Sequence, residues 1–195
     1  LPEFRKIRKE NPNFVELCLN HKLSSQITLQ PINRFDLDAA IIFSDILMVP
    51  YALNQKVKFE KDHGPILSKF DINIFLKNDN SSFIEKLNPI YEAIKLTREN
   101  LDKRKSLISF VGAPWTLLVY IIGAKKGNNV IDFNIIKKRK KEIKIIVDKL
   151  NDYLCLHIEN QIKAGADVVQ IFDSWAGSIS PEDLTEFCYT PNLRI

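Results

Sequence analysis

Three cysteines, three histidines and six glycines in 195 residues are few, and each scarcity argues against a class of protein. Cys18, Cys155 and Cys188 are odd in number and far apart. A disulfide scaffold is therefore not expected, and a reducing compartment is. No apolar run reaches the roughly 18 residues of a membrane-spanning helix; "LLVYIIGA" is far too short, and no signal-peptide pattern opens the chain. No glycine-rich phosphate loop follows a strand, which weakens a doubly wound nucleotide-binding fold. Cys155 and His157 stand two apart on an expected helix, so they point about 200° apart and cannot share a metal unaided. His21 and His63 lie in polar stretches. There is no His–Cys–Cys zinc pattern, no "GxSxG" elbow and no cysteine with an obvious base. Metal sites and acyl-enzyme chemistry have little support here.

What is present is ordinary for a soluble globular protein: 45% apolar residues, 27% charged residues and a net charge of +4. The positive sign suits an acidic ligand, although it is modest. One dense basic run, Lys137 to Lys141, reads as a solvated helix face. It lacks the interleaved aromatics of a nucleic-acid surface, so no nucleic-acid partner is expected. Leu1 in place of Met, and an end at Ile195 inside a helical pattern, lead to the expectation of a piece of a longer protein. The length suits one domain, residues 1–195, better than two.

Along the chain, helical and strand patterns alternate. Short helices are expected over Pro2 to Arg8 and Asn13 to Cys18, then over "QITLQPINRF", with Ser24 or Ser25 as cap and a bend at Pro31. "LDAAIIFSD" reads as a buried strand. Tyr51 to Asn80 is irregular, with a small hairpin near Val57 and Phe59 and a turn at Gly64 and Pro65. Helical spacing begins at Phe83. Ser106 to Val111 forms a second buried strand, and Pro114 opens a helix. One long amphipathic helix is expected from Ile135 to Lys163. Its apolar positions are Ile143, Ile146, Val147, Leu150, Leu154, Ile158 and Ile162, and Gly165 stops it. Asp167 to Phe172 is a third buried strand, and Ser180 with Pro181 starts another helix. Apolar strands alternating with helices imply parallel α/β architecture. The best fit is an incomplete (β/α)8 barrel of the TIM type, because a whole barrel takes about 250 residues.

Barrel enzymes build their sites at the C-terminal ends of the strands. The first strand delivers Ser44 and Asp45. The second delivers Gly112 to Trp115, with Tyr120 two turns into the next helix. The third delivers Asp173, Ser174, Trp175, Ala176 and Gly177. Each residue alone has a plainer reading. Asp45 can accept backbone N–H groups at a turn, Tyr120 can pack, Ser174 can cap, Asp173 can form a structural ion pair, and both tryptophans can be core. Joint placement at strand ends is what favours a site.

Four stretches, "LPEFRKIR", "TLQPINRFDLDAAIIFSDIL", "FVGAPWTLLVY" and "IKAGADVVQIFDSWAG", resemble the uroporphyrinogen decarboxylase family. The similarity runs from Leu1 to Ile195 and is weaker over 54–106 and 124–149. It implies a cofactor-free, cytoplasmic α/β barrel, usually a homodimer with no membrane or nucleic-acid partner. That enzyme removes carboxyl groups from the four acetate side chains of uroporphyrinogen III, giving coproporphyrinogen III. On the family pattern, Asp45 accepts hydrogen bonds from pyrrole N–H groups at the centre of the macrocycle, and Tyr120 and Ser174 contact substrate carboxylates. The family's arginine-containing loop precedes "LPEFR", and its C-terminal histidine lies beyond Ile195, so these residues alone are not expected to be active. Two other readings stand beside this one: a related barrel methyltransferase acting on a corrinoid or thiol, and a non-catalytic module that binds a tetrapyrrole or another acidic ligand.

Overall fold

A computed structural model describes residues 1–60, 63–126 and 130–195. Its centre is a three-stranded parallel sheet in the order β1 (Ala39–Ile41), β4 (Ser106–Gly112), β7 (Val168–Phe172). Before the sheet come α1 (Pro2–Glu10), α2 (Phe14–Cys18) and α3 (His21–Arg34). The cap of α3 is Asn20, whose side chain accepts the Leu23 N–H, and not Ser24 or Ser25. Both serines are buried inside the helix, where Ser24 Oγ donates to the Leu17 and Cys18 carbonyls. Pro31 sits within α3, which continues to Arg34.

Strand β1 is short, Ala39–Ile41. It pairs with β4 (Ser106–Gly112), and the Ile42 N–H still reaches the Ile108 carbonyl at 2.9 Å. The chain then leaves the sheet, because the Phe43 N–H turns to Thr28 Oγ1 at 2.8 Å. The expected strand from Leu37 to Asp45 is thus trimmed at both ends by a competing side-chain acceptor and by the reach of its partner. α4 (Met48–Ala52) follows, then the expected hairpin of β2 (Val57–Glu60) and β3 (Gly64–Leu67). Gly64 and Pro65 open β3 itself instead of forming a turn. α5 (Ile72–Leu76) lies in the stretch read as irregular.

α6 (Asn80–Asn100) starts earlier than its apolar spacing, because Asp79 accepts the Ser82 N–H and caps it. Phe83, Leu87, Ile90 and Ile94 recur on one face and are buried. α7 (Pro114–Ile121) leaves β4 after Ala113. A small antiparallel pair joins β5 (Lys125–Lys126) and β6 (Val130–Ile131). The expected single helix from Ile135 is two: α8 (Phe133–Lys138) and α9 (Lys140–Lys163). Arg139 breaks it; its guanidinium forks onto Glu142 at 2.7 and 2.6 Å and lies over the Phe70 ring. The four lysines of the basic run are exposed, as a solvated face should be. The apolar face of α9 is buried at Ile143, Ile146, Val147, Leu150 and Leu154, whereas Ile162 is 55% exposed. Gly165 follows at φ +111, a backbone that L side chains rarely adopt.

β7 (Val168–Phe172) pairs in parallel with β4 from Ile108↔Val168 to Gly112↔Phe172. A 3₁₀ turn (Ala176–Ser178), α10 (Pro181–Leu184, capped by Ser180), a π-helical turn (Thr185–Tyr189) and α11 (Thr190–Asn192) complete the order. α3, α6 and α9 pack on the sheet, and Leu107, Ser109 and Val111 of β4 point into that packed side. On the opposite face Ile41 (58%), Val168 (47%) and Phe172 (42%) remain exposed. The α/β class is as expected; the described residues hold three parallel strands in one open sheet, and no closed barrel is formed among them.

Candidate active site

Parallel pairing sets the polarity: β1, β4 and β7 all finish at one edge of the sheet. Asp45, the turn into α7 and the Asp173–Ser174 turn follow those ends. Asp45 Oδ1 accepts the Leu47 N–H at 2.8 Å, and the Asp45 carbonyl accepts the Met48 N–H at 3.1 Å. The turn-forming reading of Asp45 is thus realised with one carboxylate oxygen. Burial holds this carboxyl above its ordinary range, and the Leu47 N–H pulls it partly back. Asp45 makes no ion pair among the described residues. Its charge reaches Cys18, whose thiol is pushed up to about 12, first by burial, then by Asp45, with Arg8 opposing. Such a thiol stays protonated and is no nucleophile.

Gly112 couples this turn to α7. A Cβ there would lie 2.9 Å from Leu117 Cδ2 and 3.1 Å from Ile46 Cβ. Glycine at this strand end therefore permits a close approach of three segments; it does not leave an open space for a ligand.

Tyr120 sets its ring against Trp175 at 6.1 Å between centroids, edge to face, and Lys125 Nζ lies 5.8 Å from the same ring's centroid. Its hydroxyl makes no hydrogen bond among the described residues. Tyr120 also lines a cleft of about 530 Å³ with Lys69, Phe70, Lys125 and Arg139; neither Asp45 nor Ser174 lines that cleft. Ser174 is exposed. No hydrogen bond joins Asp45, Tyr120 and Ser174 to one another. The structure brings Tyr120 against the residue next to Ser174, and links Asp45 to α7 only through packing at Gly112.

Asp173 forms no ion pair among the described residues. Its Oδ1 accepts the Thr116 hydroxyl at 2.7 Å, and its Oδ2 accepts Asn192 Nδ2 at 3.4 Å. The buried Cys188 thiol is raised to about 12 by burial, then by the charge and hydrogen bond of Asp173. Trp115 and Trp175 are buried, as the core reading requires, and Trp115 Nε1 donates to the Trp175 carbonyl at 3.1 Å. The Trp175 indole N–H is buried without an acceptor among the described residues. Thr116 was not singled out from the sequence; a hydroxyl in the first turn of the helix after a strand end was its only signal. No group of three or more metal-ligating side chains is found among the described residues.

A parallel sheet whose strand ends run into turns carrying a half-buried carboxylate and an exposed hydroxyl, with a phenol on the helix that follows the middle strand, has the layout on which α/β barrel enzymes build their sites. A solved methyltransferase from Methanosarcina mazei shares the fold, with a TM-score of 0.67 over 92% of this chain and 54% of that one. At 16% identity the likeness is of fold alone. The family model described as "Uroporphyrinogen decarboxylase (URO-D)" matches residues 1–195. The chain is 41% identical to the uroporphyrinogen decarboxylase of Rickettsia felis, covering all of this chain and 57% of that protein. It is 41% identical to that of Campylobacter jejuni subsp. jejuni (58% of its length) and 43% identical to that of Orientia tsutsugamushi (57% of its length). The chain belongs to the uroporphyrinogen decarboxylase family, and it spans somewhat over half the length of these relatives.

Proposed function

We propose that the protein carrying this chain decarboxylates uroporphyrinogen III to coproporphyrinogen III without a cofactor, as a cytoplasmic homodimer. The observation that carries this reading is the family match over every residue of the chain. The sheet supports a further step. Parallel sheets are buried on both faces, yet Ile41, Val168 and Phe172 are exposed on one face here. Further strands that extend this sheet into a closed (β/α)8 barrel, one domain with residues 1–195, would cover them. No helix among the described residues is long and apolar enough to cross a membrane, and the exposed lysine run reads as solvated surface.

The chemistry follows from the substrate. Loss of carbon dioxide from an acetate leaves an electron pair that needs a sink. A pyrrole protonated on a ring carbon supplies one: the C–C bond breaks, its electrons enter the cationic ring, and carbon dioxide departs. The exocyclic carbon then takes a proton, and the ring carbon returns its own. Asp45 stabilises the cationic ring by accepting the pyrrole N–H groups at the macrocycle centre. One of its oxygens is already committed to Leu47, which fixes the carboxylate's orientation. Burial raises the cost of the bare charge; the N–H donors would lower it again. Tyr120 and Ser174 bind peripheral carboxylates with hydroxyls that have no other partner among the described residues.

The test is anaerobic incubation of the full-length protein with uroporphyrinogen III, with chelator present. Coproporphyrinogen III and four equivalents of carbon dioxide are expected. Binding without carbon dioxide release would instead support the tetrapyrrole-binding module, and methyl transfer dependent on zinc would support the methyltransferase.

A further inference from the structure

We propose that Thr116 and Asp173 form a positioning clamp that fixes Ser174 relative to Tyr120, so that the two hydroxyls engage substrate carboxylates together. The proposal rests on the reading of Tyr120 and Ser174 given above. Ser174 is exposed at a strand end, where a free turn would sample many conformations. Yet both of its neighbours are tied to α7. The Thr116 hydroxyl donates to Asp173 Oδ1 at 2.7 Å and accepts the Trp175 N–H at 3.1 Å. The Trp175 backbone N–H can only donate, so the Thr116 oxygen accepts there and its own proton is turned to Asp173 Oδ1. One hydroxyl thus bridges the residue before Ser174 and the residue after it.

Three further contacts close the clamp. The Trp175 carbonyl accepts Trp115 Nε1 at 3.1 Å, and the Ala176 N–H returns to the Asp173 carbonyl at 3.1 Å. Asp173 Oδ2 is held from the other side by Asn192. Thr116 and Tyr120 are four apart on α7, so they share a helix face. That face carries the clamp at one turn and the Tyr120–Trp175 ring contact at the next. The Ser174 backbone and the Tyr120 ring are therefore referred to the same helix. Thr116 is fully buried and does not meet substrate; it acts through Ser174. Asp173 is likewise a positioning residue, its oxygens already taken by Thr116 and Asn192.

The test uses the full-length protein and steady-state kinetics with uroporphyrinogen III. Thr116→Val keeps shape and removes both hydrogen bonds; Thr116→Ser keeps the hydroxyl. Thr116→Val should raise KM about tenfold with kcat little changed, the mark of lost uniform binding, and Thr116→Ser should restore KM. In the double variant with Ser174→Ala, KM should be no worse than in Ser174→Ala alone, because both changes remove one interaction. A Thr116→Val protein with lowered Tm but wild-type KM, or an additive double variant, overturns the clamp. If Thr116→Val does not fold, Trp115→Phe, which removes the donor to the Trp175 carbonyl, carries the test: raised KM supports the clamp and wild-type KM overturns it. Wild-type kinetics in both Ser174→Ala and Tyr120→Phe would overturn the substrate reading itself, a result distinct from an impaired Ser174→Ala beside an unimpaired Thr116→Val.

Discussion

Replacing Asp45 by asparagine separates charge from shape. The asparagine carbonyl can still accept the Leu47 N–H that Asp45 Oδ1 accepts at 2.8 Å, so the turn into α4 persists. What disappears is the negative charge proposed to face the ring. A unit charge about 4 Å from the cationic pyrrole, at an effective dielectric near 20, contributes about 4 kcal/mol. Removing one preorganised charge-stabilising group costs roughly 2.7–4 kcal/mol in comparable sites, or about 10²–10³ in turnover. The full-length variant should lose turnover on that scale. Stability should move the other way. The Asp45 carboxyl is raised by burial, so its ionised form is less favourable in the folded chain than in the unfolded one. Above the ordinary carboxylate range that is a destabilising contribution, and the neutral amide removes it. Thermal unfolding at pH 7 should show an unchanged or higher Tm. Near-normal turnover would refute the electrostatic role. A markedly lower Tm would show instead that the carboxylate is a structural anchor.

The same reasoning extends to other positions. Tyr120→Phe and Ser174→Ala should each raise KM by about one order of magnitude, the worth of a hydrogen bond to a charged group. Both should leave Tm unchanged, because neither hydroxyl has a partner among the described residues. Gly112→Ala would put a methyl 2.9 Å from Leu117 Cδ2 and 3.1 Å from Ile46 Cβ. Chemical denaturation should show a loss of about 1–3 kcal/mol, and turnover should fall with it as the Asp45 turn is displaced. His157 is buried between α6 and α9 with Tyr91 Oη 3.0 Å from its Nδ1, and burial depresses its pKa to about 3. The unfolded chain takes up this proton below about 6.5 and the folded chain does not. Stability should therefore fall by up to about 1.4 kcal/mol per pH unit between roughly pH 6.5 and 3. Denaturation curves of His157→Gln should lose that part of the acid sensitivity.

The α/β class could be read from the sequence because its signals are local. Apolar runs around Ile42, Phe110 and Ile171, each followed by a break and a helical period, mark strand–helix units however the rest of the chain folds. Strand length was less legible. β1 ends at Ile41 because Thr28, 15 residues away and on a helix, takes the Phe43 N–H, and no pattern within the strand encodes that. The break at Arg139 depends on Glu142 and on the Phe70 ring, two partners that helical periodicity ignores. At the site, residue types after strand ends could point to Asp45, Tyr120 and Ser174, yet each also fitted a plainer role, and motif resemblance favoured the functional one. Asp173 drew notice for its charge. Its partners, Thr116, Asn192 and the Cys188 thiol, lie 57, 19 and 15 residues from it in sequence and meet it only once α7 and the last helices are packed.

The strand end carrying Asp45 is proposed to meet the centre of a tetrapyrrole. A structure of the full-length protein with coproporphyrinogen III bound measures this directly. Pyrrole nitrogens are expected within about 2.7–3.2 Å of the Asp45 carboxylate, with peripheral carboxylates on Tyr120 and Ser174. A macrocycle seated elsewhere, or one whose nitrogens face away from Asp45, would contradict it.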